Sequence, residues 1–193
     1  MWNQSENQIK ITFIRHGATP SNLESKYVGW MEESLSTEGK EQLKSKWKEP
    51  PVVDRVFSSP MGRCLETVEL IFRDCQPIII PEWKEINFGD FEGKNYKELS
   101  QNPDYQKWID SNGTLPFPNG EKRNDFIRRT MKGLERCLEQ CQKNGWKEIA
   151  CVVHGGSIMA MGSELTGEDY YSFQIKNGDA YQTVITMKEK DEK

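Results

Sequence analysis

The chain has 193 residues and a formal net charge of −4, a length that suits one domain with a sizeable core. Its isoelectric point is near 5.4 and its mean hydropathy is −0.78. Those values and the pattern behind them exclude the basic stripe of a nucleic-acid binder and any apolar run of membrane-spanning length. Hydrophobic residues make up 35 % and are gathered into short runs, which is compatible with folding. Only the polar ends, residues 1–8 and 188–193, read as fraying tails.

In chain order, a first strand is expected over 9–14. Ser36 or Thr37 caps a helix running to about Trp47, with Glu38 and Glu41 in its first turns, where the helix dipole favours anions. Pro50-Pro51 ends it. A second strand over 52–57 leads into Ser58-Ser59-Pro60, and a helix over 61–73 keeps Leu65, Val68 and Phe72 on one stripe. A third short strand covers 77–80. Residues 83–93 read as a loop, 96–100 and 104–110 as short helices, and 112–120 as a long surface loop rich in proline and glycine. The longest helix spans 121–142, with Ile127, Met131, Leu134, Leu138 and Cys141 along one face. A fourth strand over 147–153, a helix over 157–165 and an edge strand over 180–187 complete the chain.

Strand and helix alternate almost throughout. The expected fold class is therefore α/β: a three-layer α/β/α domain over 1–193 with a mostly parallel sheet. A lid-like helical insert over about 83–120 interrupts the alternation. The five cysteines, Cys64, Cys75, Cys137, Cys141 and Cys151, form no CxxC pair, and no signal-like segment is evident. Free thiols in a reducing cytoplasm are the expectation, with no metal site and no cofactor.

The chemistry concentrates at the two histidines of the chain. His16 follows a run of β-formers in Arg15-His16-Gly17, and His154 follows another in Val153-His154-Gly155-Gly156. Apolar runs that end in a polar residue and glycine mark buried parallel strands handing over to loops. The carboxyl ends of such strands form the ligand crevice of an open α/β sheet. Arg15 offers a planar fork for two phosphoryl oxygens, and Asn22 adds an amide donor from the same turn. Arg63 lies just inside the helix that follows the second strand. Read alone, Arg63 is an ordinary helix-surface arginine and His154 a satisfied structural histidine. Read together, two arginines, two histidines and an asparagine suit a metal-free phosphate cradle. Two arginines beside His16 disfavour its protonation, which leaves a neutral imidazole available as a nucleophile. Its other nitrogen then needs an acceptor, for which a backbone carbonyl is the expected type.

These residues resemble the histidine phosphatase superfamily, the phosphoglycerate-mutase-like enzymes. The matching pieces are Arg15-His16-Gly17-Ala18-Thr19 with Asn22, Ser58-Ser59-Pro60 with Arg63 and Glu66-Thr67, Glu85 with residues 88–93, and Val153-His154-Gly155-Gly156. They occur in the family order over about residues 9–187. The resemblance implies a phosphohistidine on His16 with Glu85 as proton donor. It also implies that Arg15, Asn22, Arg63, His154 and Gly155 hold the transferring group, and that Val28 and Gly29 lie on the substrate side. Spacing alone leaves Glu82 and Glu92 as competing carboxylates. Residues 87–94, Trp108-Ile109 and Asn119-Gly120-Glu121 are further similar to α-ribazole phosphatases, which implies a small phosphate ester as partner. A broad sugar-phosphate phosphatase and a phosphoglycerate mutase remain open. So does a binding module without activity, although such a module would lack His16 or the acid. Trp83, Phe88, Tyr96, Trp108 and Phe117 could stack on a flat base or simply pack. Three departures bear on the substrate: Ala18 in the first motif, Val28 before Gly29, and Lys122 at a helix-cap position. The oligomeric state is left open.

Overall fold

In the computed structural model, which describes residues 8–187, five strands form one sheet in the order β3-β2-β4-β1-β5. These are β1 (Gln8–Arg15), β2 (Arg55–Ser58), β3 (Ile78–Ile79), β4 (Glu148–Val153) and β5 (Ala180–Thr186). β4 pairs in parallel with both β1 and β2, and β2 with β3. β5 closes one edge antiparallel to β1. The expected α/β class and mostly parallel sheet are thus what the chain adopts. The expected tail over 1–8 reaches one residue into β1; residues 1–7 and 188–193 lie outside the described residues.

Alternation along the strands builds the layers. Ile9, Ile11, Phe13, Phe57, Ile149, Cys151 and Val153 bury into one core with residues of α5 (Arg123–Asn144) and α6 (Gly155–Thr166). Ile14, Val56, Ala150 and Val152 bury into another, against α2 (Thr37–Lys46) and α3 (Gly62–Phe72). The two apolar faces of the sheet account for the helices on either side.

Ser36 is the cap of α2, accepting from the Gly39 amide at 2.9 Å. The stripe expected on α3 is corrected: Leu65 is exposed, and Cys64, Thr67, Val68 and Ile71 face inward. Arg63 turns in with them, so the buried face is set by the site as well as by the core. On α5 the inward face is Phe126, Thr130, Gly133, Leu134, Cys137, Leu138 and Cys141, with Ile127 and Met131 at its margin. The helix ends at Gly145, whose φ of 71° is the left-handed cap conformation. Lys122 gives α5 no side-chain cap.

The insert holds one α-helix, α4 (Pro103–Asp110); residues 96–100 form turns instead of the expected helix. Its Ile86, Phe91, Leu99, Tyr105 and Phe117 pack on Phe126 and Ala160 in a small core of their own. A short helix not expected from the pattern, α1 (Pro20–Leu23), follows β1. A capping box between Thr19 and Asn22 starts it.

Candidate active site

Three neighbouring strands end on the same side of the sheet, and each delivers part of the site. His16 follows β1, Ser59 follows β2 and His154 follows β4. The backbone ladder continues one step past the strands, through His16 N–H to Val153 O and Ser59 N–H to Val152 O, both 3.0 Å. The rings of His16 and His154 meet edge to face, with centroids 5.1 Å apart and planes at 66°. Both are buried.

His16 Nδ1 lies 2.8 Å from the Gly17 carbonyl oxygen. A carbonyl can only accept, so Nδ1 carries the proton and Nε2 keeps its lone pair. Burial holds the pKa of His16 well below its ordinary 6.5, and the charges of Arg63 and Arg15 push the same way. The ring is therefore neutral near pH 7. A Cβ at Gly17 would come within 2.6 Å of the Leu43 side chain, so a larger residue there would have to displace it. The Gly17 amide donates to Thr67 Oγ1, which in turn donates to the Arg63 carbonyl, tying the turn to α3.

The arginines are held by backbone carbonyls rather than carboxylates. Arg63 is fully buried. Its Nη1 donates to Met31 O at 3.0 Å and its Nη2 to Gly29 O at 2.7 Å and Val28 O at 3.4 Å. Arg15 Nη1 donates to Ile175 O at 2.6 Å. Each keeps a buried Nε–H with no acceptor in the protein, a costly condition that an oxyanion would relieve. Asn22 Oδ1 accepts from the Thr19 amide and from Asn177 Nδ2 at 3.2 Å each. Its Nδ2 is the donor left over.

Glu85 is buried, and desolvation raises its pKa above the ordinary 4.5 despite the opposing pull of nearby amides and arginines. Its carboxyl accepts from Ile86 N–H at 2.9 Å and from Gly156 N–H, in the first turn of α6, at 3.2 Å. Trp30 Nε1 and Arg129 Nη2 donate to its carbonyl. The competing carboxylates are elsewhere employed. Glu82 pairs with Arg136 at 2.6 Å, and Glu92 accepts from the amides of Gly29, Trp30 and Phe88.

A cleft of about 420 Å³ opens over Arg15, His16, Glu85, Gly155 and Gly156. Val28 lines it together with Asn22, Tyr27, Phe88 and Tyr96. Gly29, Arg63 and His154 do not line it: the Gly29 carbonyl anchors Arg63, and the His154 ring lies behind that of His16. Of the five aromatic residues offered for stacking, Phe88 and Tyr96 reach the cleft. Trp83 is buried against Phe57 and α5, and Trp108 and Phe117 pack within the insert. Met159, Gln174 and Asn177 also border the cleft and were not singled out by sequence. Asn177 donates to both His16 O and Asn22 Oδ1. Its signal in the chain is no more than an Asn-Gly pair ahead of the last strand.

The model of the histidine phosphatase superfamily (branch 1) matches residues 11–192. Among curated proteins, the adenosylcobalamin/α-ribazole phosphatase of Escherichia coli K12 is 30 % identical over 180 residues, covering 88 % of this chain and 87 % of that protein. A broad-specificity phosphatase of Saccharomyces cerevisiae is 28 % identical over 186 residues, covering 90 % of this chain and 77 % of its own. Among solved structures, the α-ribazole phosphatase of Shigella flexneri aligns with a TM-score of 0.77 at 26 % identity, covering 90 % of this chain and 89 % of that one.

Proposed function

Because this chain belongs to the histidine phosphatase superfamily, we propose that it hydrolyses small phosphate monoesters in two steps through a phosphohistidine on His16. The observation that carries the reading is the bond from His16 Nδ1–H to Gly17 O, which leaves a neutral Nε2 beside the buried Arg63 and the half-buried Arg15. In the first step Nε2 attacks phosphorus and the P–O ester bond breaks. The proton of Glu85 passes to the leaving alkoxide, a transfer suited to a carboxylic acid whose pKa is raised. In the second step the Glu85 carboxylate takes a proton from water as the water attacks phosphorus and the P–N bond breaks, releasing inorganic phosphate. Phosphoryl transfer needs chiefly positioning and stabilisation of the equatorial oxygens. Arg15, Arg63, Asn22 Nδ2, His154 and the Gly155 amide supply the donors, the last from a helix N-terminus that favours anions.

We infer that the leading specific substrate is α-ribazole 5′-phosphate. The relatives from Escherichia coli and Shigella flexneri support this, as do Phe88 and Tyr96 on the cleft wall. The yeast relative supports a broader range of phosphorylated metabolites, such as sugar phosphates. Five unpaired thiols support a reducing, cytoplasmic setting. The test is an acid–base quench of enzyme with phosphorus-labelled substrate, followed by a panel that includes α-ribazole phosphate, sugar phosphates and 3-phosphoglycerate. Acid-labile, base-stable label on the wild type and none on His16→Ala is the expected result. Undiminished hydrolysis by His16→Ala overturns the mechanism.

A further inference from the structure

The sheet order sets Ser59, His154 and His16 side by side at the ends of β2, β4 and β1. We propose that Ser59 is a positioning residue that selects the ring nitrogen His154 turns to the phosphoryl group. The use of that nitrogen rests on the two-step reading above; the selection itself does not. Ser59 Oγ lies 2.7 Å from His154 Nε2, and both residues are fully buried. The same Oγ accepts the Met61 amide at 3.3 Å. A hydroxyl has one hydrogen and two lone pairs. With one lone pair given to Met61, the hydroxyl can meet Nε2 either through its second lone pair or through its hydrogen; the proposed state is donation to Nε2, in which the neutral ring accepts there and carries its proton on Nδ1. Burial and the charges of Arg63 and Arg15 keep the ring neutral. The other polar neighbour, Cys64 Sγ, is 3.6 Å from Nε2 and 3.9 Å from Nδ1. A thiol is the weaker partner and is also bonded to the Ser59 side chain, so Ser59 is the stronger of the two groups acting on the tautomer.

The two rings then hold the same tautomer for opposite ends. In His16 the Nδ1–H is bound by Gly17 O, and the free group is a lone pair, as a nucleophile requires. In His154 the Nε2 lone pair is bound by Ser59, and the proposed donor to a phosphoryl oxygen is Nδ1–H, whose neighbour in the protein is the weak partner Cys64 Sγ at 3.9 Å. Reversing the His154 tautomer would aim a lone pair at the anion. The selection is thus worth a charge-assisted hydrogen bond in the bound state.

The chain has two histidines, so long-range proton–nitrogen correlation spectra of the ¹⁵N-labelled protein contain two ring patterns, and His16→Ala assigns them. The expected wild-type result is His154 protonated on Nδ1. In Ser59→Ala the pattern should shift toward Nε2–H or a mixture, and affinity for inorganic phosphate should fall roughly ten- to hundredfold. Ser59→Thr, which keeps the hydroxyl, should restore both. A wild-type ring protonated on Nε2 overturns the proposal even if no variant folds. So does a folded Ser59→Ala with unchanged tautomer and phosphate affinity. The phosphohistidine label tests the two-step reading separately, because the tautomer is read on the free protein.

Discussion

The Glu85 carboxyl and the Gly156 amide sit in direct contact: the N–H donates at 3.2 Å, and a Cβ on Gly156 would fall 2.5 Å from the same carboxyl. Glycine at this position of α6 therefore leaves room for the carboxyl of the proposed acid. Gly156→Ala should raise helix propensity by up to about 1 kcal/mol while pushing the carboxyl off its amide. We expect Tm to change by only a few degrees and kcat on alkyl phosphates to fall about tenfold or more. Unchanged turnover in a folded variant would show that the position of Glu85 is unimportant.

Glu85→Gln separates proton donation from binding. The loss should reach about 10²–10⁴-fold for alkyl esters, whose leaving group needs a proton, and be far smaller for an aryl phosphate with a good leaving group. Equal losses on both substrates would assign the acid to another residue. Glu82 and Glu92, held by Arg136 and by three backbone amides, are not expected to reproduce this pattern when replaced.

The pH profile should be shifted to the acid side. Attack requires neutral His16, whose pKa burial places well below 6.5, so the acid limb of kcat/KM lies below that value. Expulsion of the alkoxide requires protonated Glu85, whose pKa burial raises above 4.5, so its deprotonation sets the alkaline limb. Stability follows the same groups with opposite signs. The folded histidines resist protonation, so the unfolded state binds more protons as the pH falls below 6.5, and that share of stability, complete above 6.5, is lost on acidification. Folded Glu85 binds its proton more tightly than the unfolded chain does, so its share is lost as pH rises from 4.5 through its raised value. Denaturant titrations across pH would check both slopes; an acid limb centred at 6.5 would contradict the buried neutral nucleophile.

Arg63→Lys should fail on two counts. A single ammonium cannot replace a fork that reaches Met31 O and Gly29 O together. Leaving a buried carbonyl unpaired costs about 1–3 kcal/mol, which should appear as a lower Tm. Loss of one preorganised donor should cost about 10²–10³ in kcat/KM. Full activity with unaltered Tm would mean that Arg63 neither braces residues 28–31 nor meets the phosphoryl group.

Much of this was legible along the chain because it is encoded at short range. Runs of apolar β-formers mark β1 and β4, a glycine turn marks the end of each, and Ser36-Thr37 with Glu38 and Glu41 behind them mark the start of α2. The motifs around His16, Arg63, Glu85 and His154 point to the family because each is a contiguous piece of loop chemistry. What sequence left open were choices among like residues. That Glu85 rather than Glu82 or Glu92 lines the cleft, and likewise Phe88 and Tyr96 rather than Trp83 and Val28 rather than Gly29, depends on which residue the fold brings to the strand ends. The inward turn of Arg63 on α3, the Gly17 carbonyl under His16, Ser59 against His154 and Asn177 beneath His16 are likewise tertiary facts. Their partners lie from one to about 160 residues away. The order β2-β4-β1 brings them together, and strand order depends on burying both faces of the sheet at once. No local pattern carries that condition.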